Sequence, residues 1–279
     1  DANGERVRFV QEETGIMPAK NNKELAGACR MIVLAVKPYY YPAVYEEIRD
    51  ALTKDSIVIT IAAGVTIRQS KNALGDSVRV VRAMPNTPAM VKEGMTGICY
   101  SDDSFSQEEK QLVERFFSSF GRFEAFEERL IDAVVCASGS SPAYVYLFIE
   151  ALADSAVKYG IPRDAAYRMT AQTVLGAAKM VLETGEHPGV LKDKVCTPGG
   201  TTIAGVAALE EYGLRNAVIK ATDRCYEKAA AMAEAAGRLT ERERIRNAKF
   251  FQQDWQAADL DVLGFRGRFG LVFAHMTPA

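Results

Sequence analysis

One unbroken apolar run, residues 31–36 (MIVLAV), and two further runs rich in apolar residues, 56–61 and 78–84, mark the first half of the chain. Each is short, rich in β-branched residues and closed by turn formers, as expected of strands covered on both faces. Helical periodicity lies between them. In residues 4–14, Val7 and Val10 share a face, and Gly15 supplies a stop. Residues 42–52 have Pro in the first turn, and 67–74 and 106–119 read as further helices. Residues 96–100 and 122–126 read as shorter strands. Strands alternating with helices predict a doubly wound, parallel α/β sheet.

After about Glu128 the strand signals stop and long helical runs follow. Ser138-Gly139-Ser140-Ser141-Pro142 is a helix-start signal, with a helix expected from about 143 to 159, before Gly160. A second runs from 163 to 184, ending at Gly185, with apolar residues almost all round: Met169, Val174, Leu175, Met180 and Val181. Such a helix must be covered on most sides, which in a small helical domain implies a partner subunit. A last helix is expected over 215–231. The expected domains are an α/β domain over 1–128, an all-α domain over 129–232 and an atypical tail over 233–279.

Composition narrows the function classes. The chain has 279 residues, 48% hydrophobic and 25% charged, and a formal net charge of −2. That balance points to no nucleic acid and no anionic membrane surface. No apolar run of the sequence spans a bilayer. The five cysteines are dispersed and read as cytoplasmic thiols. No His/Cys/carboxylate cluster has ligand spacing, so no metal is expected.

The most informative stretch is 187–211, HPGVLKDKVCTPGGTTIAGVAALEE. At its centre, Pro198-Gly199-Gly200-Thr201-Thr202 makes a tight turn that opens a helix. Gly199 and Gly200 admit close approach of backbone to a ligand. The first N–H groups of the helix are unpaired and favour a small anion such as a carboxylate. Thr197, Thr201 and Thr202 add hydroxyls. Taken alone, these residues fit an ordinary capped helix equally well.

The longer pattern is Pro188-x-x-Leu191-x-x-x-Val195-Cys196-Thr197-x-Gly199-Gly200-x-Thr202-x-x-Gly205-Val206-x-x-Leu209-Glu210. It resembles the signature of pyrroline-5-carboxylate reductases, which make proline from its cyclic imine with NADPH or NADH. The resemblance extends from the first residues to about Ala231. It implies a Rossmann-type domain followed by a helical dimerisation domain. It also implies reduction of the C=N bond of 1-pyrroline-5-carboxylate, a homodimer or higher homo-oligomer, and a cytoplasmic enzyme. By the same resemblance, Thr197, Gly199, Gly200, Thr201 and Thr202 lie at the substrate, and Thr202 orients the imine nitrogen or relays its proton. Glu128 matches a substrate-side carboxylate, although an interdomain surface Glu is the plainer reading.

On the cofactor side, Ala35-Val36-Lys37-Pro38 ends the first strand and matches the segment lining the nicotinamide half. Lys37 also fits a merely solvated strand end. Ile61, Ala62 and Ala63, before Gly64, end the second strand with side chains small enough to admit a flat ring. Asn86, in the stiff Met84-Pro85-Asn86-Thr87-Pro88 loop, can give its amide to the nicotinamide or to a neighbouring loop. Asn22 matches a position near the adenosine and fits a helix N-cap for 23–28 equally well. The resemblance further implies a first strand, G-x-G-x-x-G turn, helix and second strand, a unit of about 30 residues that is not among residues 1–279. Without it, NADPH is expected to bind poorly, and a catalytically silent dimerisation or regulatory homologue is the alternative. The tail carries a charged run, 238–244, and glycines at 264, 267 and 270 between apolar ends. That spacing is not a phosphate loop, and a non-homologous tail is expected.

Overall fold

In the computed structural model the described residues are 3–238 and 269–272. They fall into two compact units, residues 1–140 with 225–279, and residues 141–224.

The first unit is built on a sheet of β1 (Met31–Leu34), β2 (Ile57–Thr60), β3 (Arg79–Met84), β4 (Gly94–Tyr100), β5 (Gly121–Ala125) and β6 (Phe269–Val272), in the order β5-β4-β3-β2-β1-β6. Its pairings are parallel except β3 with β4, where Ala83 opposes Ile98. Only residues 85–93 join these two strands, which is too short for a parallel crossover. The sheet is therefore mixed rather than wholly parallel.

The apolar character of these runs follows from burial on both faces. Ile32, Leu34, Val58 and Val80 pack on one side with Val44, Tyr45 and Ile48 of α3 (Tyr41–Ile48) and with Leu74 of α4 (Ile67–Leu74). Met31, Val33, Ile57, Ile59 and Val81 pack on the other with Leu112, Val113, Phe116 and Phe117 of α5 (Gln107–Ser118). Two capping boxes fix helix starts: Thr66 with Gln69 at α4, and Ser106 with Glu109 at α5. The remaining helices before the sheet's second half are α1 (Gly4–Thr14), which ends at a left-handed Gly15, and α2 (Asn22–Ala28).

Residues of the tail supply β6, paired in parallel with β1 from Met31↔Phe269 to Leu34↔Val272. No strand was expected there, because Gly270 interrupts the short apolar run. The glycines at 264 and 267, and the charged run past Arg238, lie outside the described residues.

The first unit continues with α6 (Ile131–Val134) and a π-helical turn, Val135–Gly139. The second unit contains α7 (Ser141–Lys158), α8 (Arg163–Thr184), α9 (Pro188–Val195), α10 (Thr201–Glu211) and the start of α11 (Leu214–Arg238). α7 packs on α8. Gly185 ends α8 in the left-handed conformation. α11 is continuous, belonging to the second unit up to Arg224 and to the first from Cys225.

One sequence expectation needs correcting. The helical run Glu128–Lys158 is, by length and composition, apolar enough to cross a bilayer. No such run was visible in the sequence because Asp132, Ser138, Ser140 and Ser141 break up the apolar positions.

Candidate active site

The second unit holds the turn singled out in the sequence. Gly199 has φ 67°, the left-handed region that glycine tolerates. The Gly200 N–H donates to the Thr197 carbonyl at 3.0 Å and closes the turn. A Cβ on Gly200 would lie 2.4 Å from Thr197 Oγ1, so no larger residue fits without moving that hydroxyl. Gly200 is the N-cap of α10, and no side chain caps it. The first-turn N–H groups therefore have no side-chain acceptor, and the positive end of the helix dipole is exposed to a ligand. Thr197 and Thr201 are exposed and Thr202 is half-buried. The structure thus brings Thr197, Gly199, Gly200, Thr201 and Thr202 into one small, uncapped, donor-rich turn, suited to a carboxylate.

The first unit holds the strand ends. After β1 come half-buried Ala35, buried Val36, half-buried Lys37 and exposed Pro38, which opens a short 3-10 turn. Tyr41 is fully buried and donates through its hydroxyl to the Leu34 carbonyl at 2.7 Å, fixing the backbone at the end of β1. Burial holds its phenol well above the ordinary range. After β2 come Ile61, buried Ala62, exposed Ala63 and Gly64 at φ 77°. Ala63 and Gly64 line a cavity of about 200 Å³ together with Asp132, Ser140, Cys225 and Lys228. Ala35 after β1 and Ala62, Ala63 and Gly64 after β2 leave room for close approach of a flat ring at these strand ends.

Three expected residues are engaged within the first unit itself. Asn86 is buried; its Oδ1 accepts from the Met95 N–H at 2.9 Å and its Nδ2 donates to the Ser138 carbonyl at 3.1 Å. Its amide therefore holds the β3–β4 loop and the π-helical turn. Asn22 donates to Glu47 Oε2 at 2.7 Å, while the N-cap of α2 is its neighbour Asn21, which accepts from the Glu24 N–H at 2.8 Å. The N-cap alternative for Asn22 thus passes to Asn21. Glu128 Oε1 accepts from the Ile67 N–H at 2.7 Å, at the start of α4, and lies 3.4 Å from Arg82 Nη1.

Arg82 and Asp132 escaped the sequence reading. Arg82 sits on β3 with its side chain 3% exposed, and Nη2 donates to Asp132 Oδ1 at 2.8 Å. A buried Arg inside an apolar strand is itself a signal, since such a charge needs a partner. No sequence rule, however, identifies Asp132 as that partner.

The chain is similar to known proteins over most of its length. Residues 128–232 match the family described as pyrroline-5-carboxylate reductase dimerisation, and residues 1–64 match NADP oxidoreductase coenzyme F420-dependent. The chain is 48% identical over 231 residues to the pyrroline-5-carboxylate reductase of Escherichia coli (strain K12), covering 83% of this chain and 86% of that protein. It is 43% identical over 225 residues to the Methanosarcina acetivorans pyrroline-5-carboxylate reductase, covering 79% and 83%. Among solved structures, a pyrroline-5-carboxylate reductase from Coxiella burnetii superposes with a TM-score of 0.78 at 36% identity, covering 83% of this chain and 86% of that one. The Plasmodium falciparum pyrroline carboxylate reductase with NADP bound gives 0.70 at 34% identity, covering 77% and 81%.

Proposed function

The chain belongs to the pyrroline-5-carboxylate reductase family, and on that premise we propose how its residues divide the reduction of 1-pyrroline-5-carboxylate to proline. The observation that carries the reading is the uncapped N-terminus of α10 behind the Gly199-Gly200 turn. Its free N–H groups take the substrate carboxylate, and the Thr197 and Thr201 hydroxyls border it. Thr202, half-buried in the first turn of α10, orients the imine nitrogen and passes a proton towards it through water, since a threonine hydroxyl is itself a weak acid.

NADPH or NADH supplies the hydride. In the first unit, Ala35, Val36, Lys37 and Pro38 after β1, and Ile61, Ala62 and Ala63 after β2, hold the nicotinamide half. The small side chains of Ala35, Ala62 and Ala63 and the fixed backbone at Leu34 support this. Strand carboxyl ends are also where open α/β sheets bind such ligands. The protein's contribution is to hold both rings in reacting geometry and to keep the carboxylate paired. Asn86 acts by fixing the loop beside these ends.

The protein is a homodimer through its helical unit, as the match over 128–232 supports. Val145, Leu152, Met169, Leu175 and Met180 are exposed in the single chain and provide the apolar surface for it. Any higher homo-oligomer is built from that dimer. We place the enzyme in the cytoplasm, consistent with five free cysteines.

The test compares 1-pyrroline-5-carboxylate with 1-pyrroline, which has the same imine and no carboxylate. NADPH oxidation with matching proline formation is expected for the first. Loss of charge-assisted hydrogen bonds worth about 1.5–3 kcal/mol should lower kcat/KM for the second roughly ten- to a hundredfold. Equal kcat/KM for both imines would remove the carboxylate role from α10.

A further inference from the structure

Two cysteines far apart in sequence meet where the chain passes between its units. The chain leaves the first unit after Ser140 and re-enters it at Cys225. Cys136, in the π-helical turn one helical turn before Ser140, is buried, and Cys225 packs against that turn, lining one cavity with Asp132, Val135 and Ser140. Cys136 Sγ also lies 3.5 Å from the Asp132 carbonyl, and Cys225 Sγ donates to Ser140 Oγ at 3.2 Å. Cys225 lines the cavity of about 200 Å³ beside Ala63, Gly64 and Lys228, so one thiol of the pair is reachable and the other is shielded. Cys29, Cys99 and Cys196 lie elsewhere: after α2, within β4 and after α9.

We propose that Cys136 and Cys225 are a redox-active thiol pair that closes to an intramolecular disulfide when a small-molecule disulfide enters the cavity. The Cys225 thiolate attacks one sulfur of the incoming RSSR, forms a mixed disulfide and expels RS⁻, which takes up the proton that Cys225 lost. Cys136 then attacks Cys225 Sγ. The mixed disulfide breaks, the second RS⁻ leaves, and it takes up the proton of Cys136. Two protein thiols are oxidised and one RSSR is reduced to two RSH.

The order follows from access. Burial, with the Cys225 contact and Asp132 adding to it, pushes the Cys136 thiol up to about 11. Cys136 therefore stays protonated and unreactive towards external oxidant, and acts once Cys225 carries a good leaving group beside it. The new bond ties the outgoing segment of the chain to the returning one on the first unit's side. Neither the reduction of the imine nor the dimer requires such a bond.

The experiment uses the full chain, reduced, freed of reductant and incubated with oxidised glutathione. Remaining thiols are alkylated after denaturation, and the peptides are mapped by mass spectrometry. The expected product carries two fewer alkyl groups than the reduced chain and retains no glutathione. It yields one cross-linked peptide pair containing Cys136 and Cys225, and dithiothreitol reverses it. Cys136→Ser is expected to stop at a glutathione adduct on Cys225; if that variant fails to fold, the map of the unsubstituted chain decides alone. The proposal is overturned by a stable adduct on Cys225 with Cys136 still alkylated. It is equally overturned by a cross-link through Cys29, Cys99 or Cys196, or by full alkylation of both cysteines.

Discussion

Arg82 Nη2 donates to Asp132 Oδ1 at 2.8 Å from a side chain that is 3% exposed, tying the central strand β3 to α6. The same guanidinium reaches Glu128, which in turn accepts from the first N–H of α4. One buried cation thus joins a strand and two helix termini beside the strand ends assigned to the cofactor.

Arg82→Met should therefore be destabilising. Removing one partner of a buried pair costs about 3–5 kcal/mol. Asp132 and Glu128 are 27% and 33% exposed and recover part of their hydration, so about 1–3 kcal/mol is expected here. Urea unfolding measures it, and an unchanged midpoint would show that the cluster contributes nothing.

Much of this was legible in the sequence, for identifiable reasons. Short apolar runs such as Met31–Leu34 announced buried strands because both of their faces are covered. Thr66 and Ser106 each stand three residues before a Gln or Glu, which is the signature of the capping boxes found there. The Gly199-Gly200 turn was legible because backbone conformation and helix start are local properties. Direction and distant pairing were not. The antiparallel β4 could have been inferred from its short connection to β3, but hydrophobic pattern carries no strand direction. Arg82 with Asp132, and Cys136 with Cys225, depend on the folded path of the chain, which residue spacing does not encode.

Acid should weaken the first unit through Glu109 and Asp103. Burial pushes the Glu109 carboxyl up, but the Ser106 backbone N–H, Arg30 and Arg79 more than offset this, and it titrates below its ordinary range. Asp103 is held low in the same way by Lys71 and Ser101 against burial. Carboxylates depressed in the folded state stabilise it above their unfolded values, about 4, and that stability is lost as pH falls through the folded values. Melting temperature should thus decline below about pH 4. Glu109→Gln should be less stable at neutral pH and show a shallower decline. An equally steep decline in that variant would remove Glu109 from the account.

The helical unit should hold a dimer without cofactor. Its exposed Met169, Leu175 and Met180 offer a second copy apolar surface to cover. Sedimentation velocity at micromolar concentration checks this, with a dimer expected; a monomer alone would contradict it.

Gly200→Ala should raise KM for 1-pyrroline-5-carboxylate more than it lowers kcat. The added Cβ meets Thr197 Oγ1 at 2.4 Å and the Thr197 carbonyl at 3.1 Å, so the turn must shift. Weakened carboxylate contact affects bound substrate and transition state alike. A rise of roughly tenfold corresponds to about 1.36 kcal/mol. An unchanged KM would mean that the turn does not touch substrate.

The central claim, that the first turn of α10 binds and orients the substrate, is tested most directly at Thr202. Loss of its hydroxyl should cost about 1–3 kcal/mol of transition-state stabilisation, or roughly ten- to a hundredfold in turnover, with NADPH affinity little changed. Thr202→Ser keeps the hydroxyl and should keep most of the rate. A purely capping role predicts a lower melting temperature with near-normal turnover in the folded fraction. The measurement is steady-state kinetics of Thr202→Ala and Thr202→Ser at saturating NADPH, beside melting curves. The account predicts a fall in turnover for Ala that Ser restores; unchanged turnover for Thr202→Ala would contradict it.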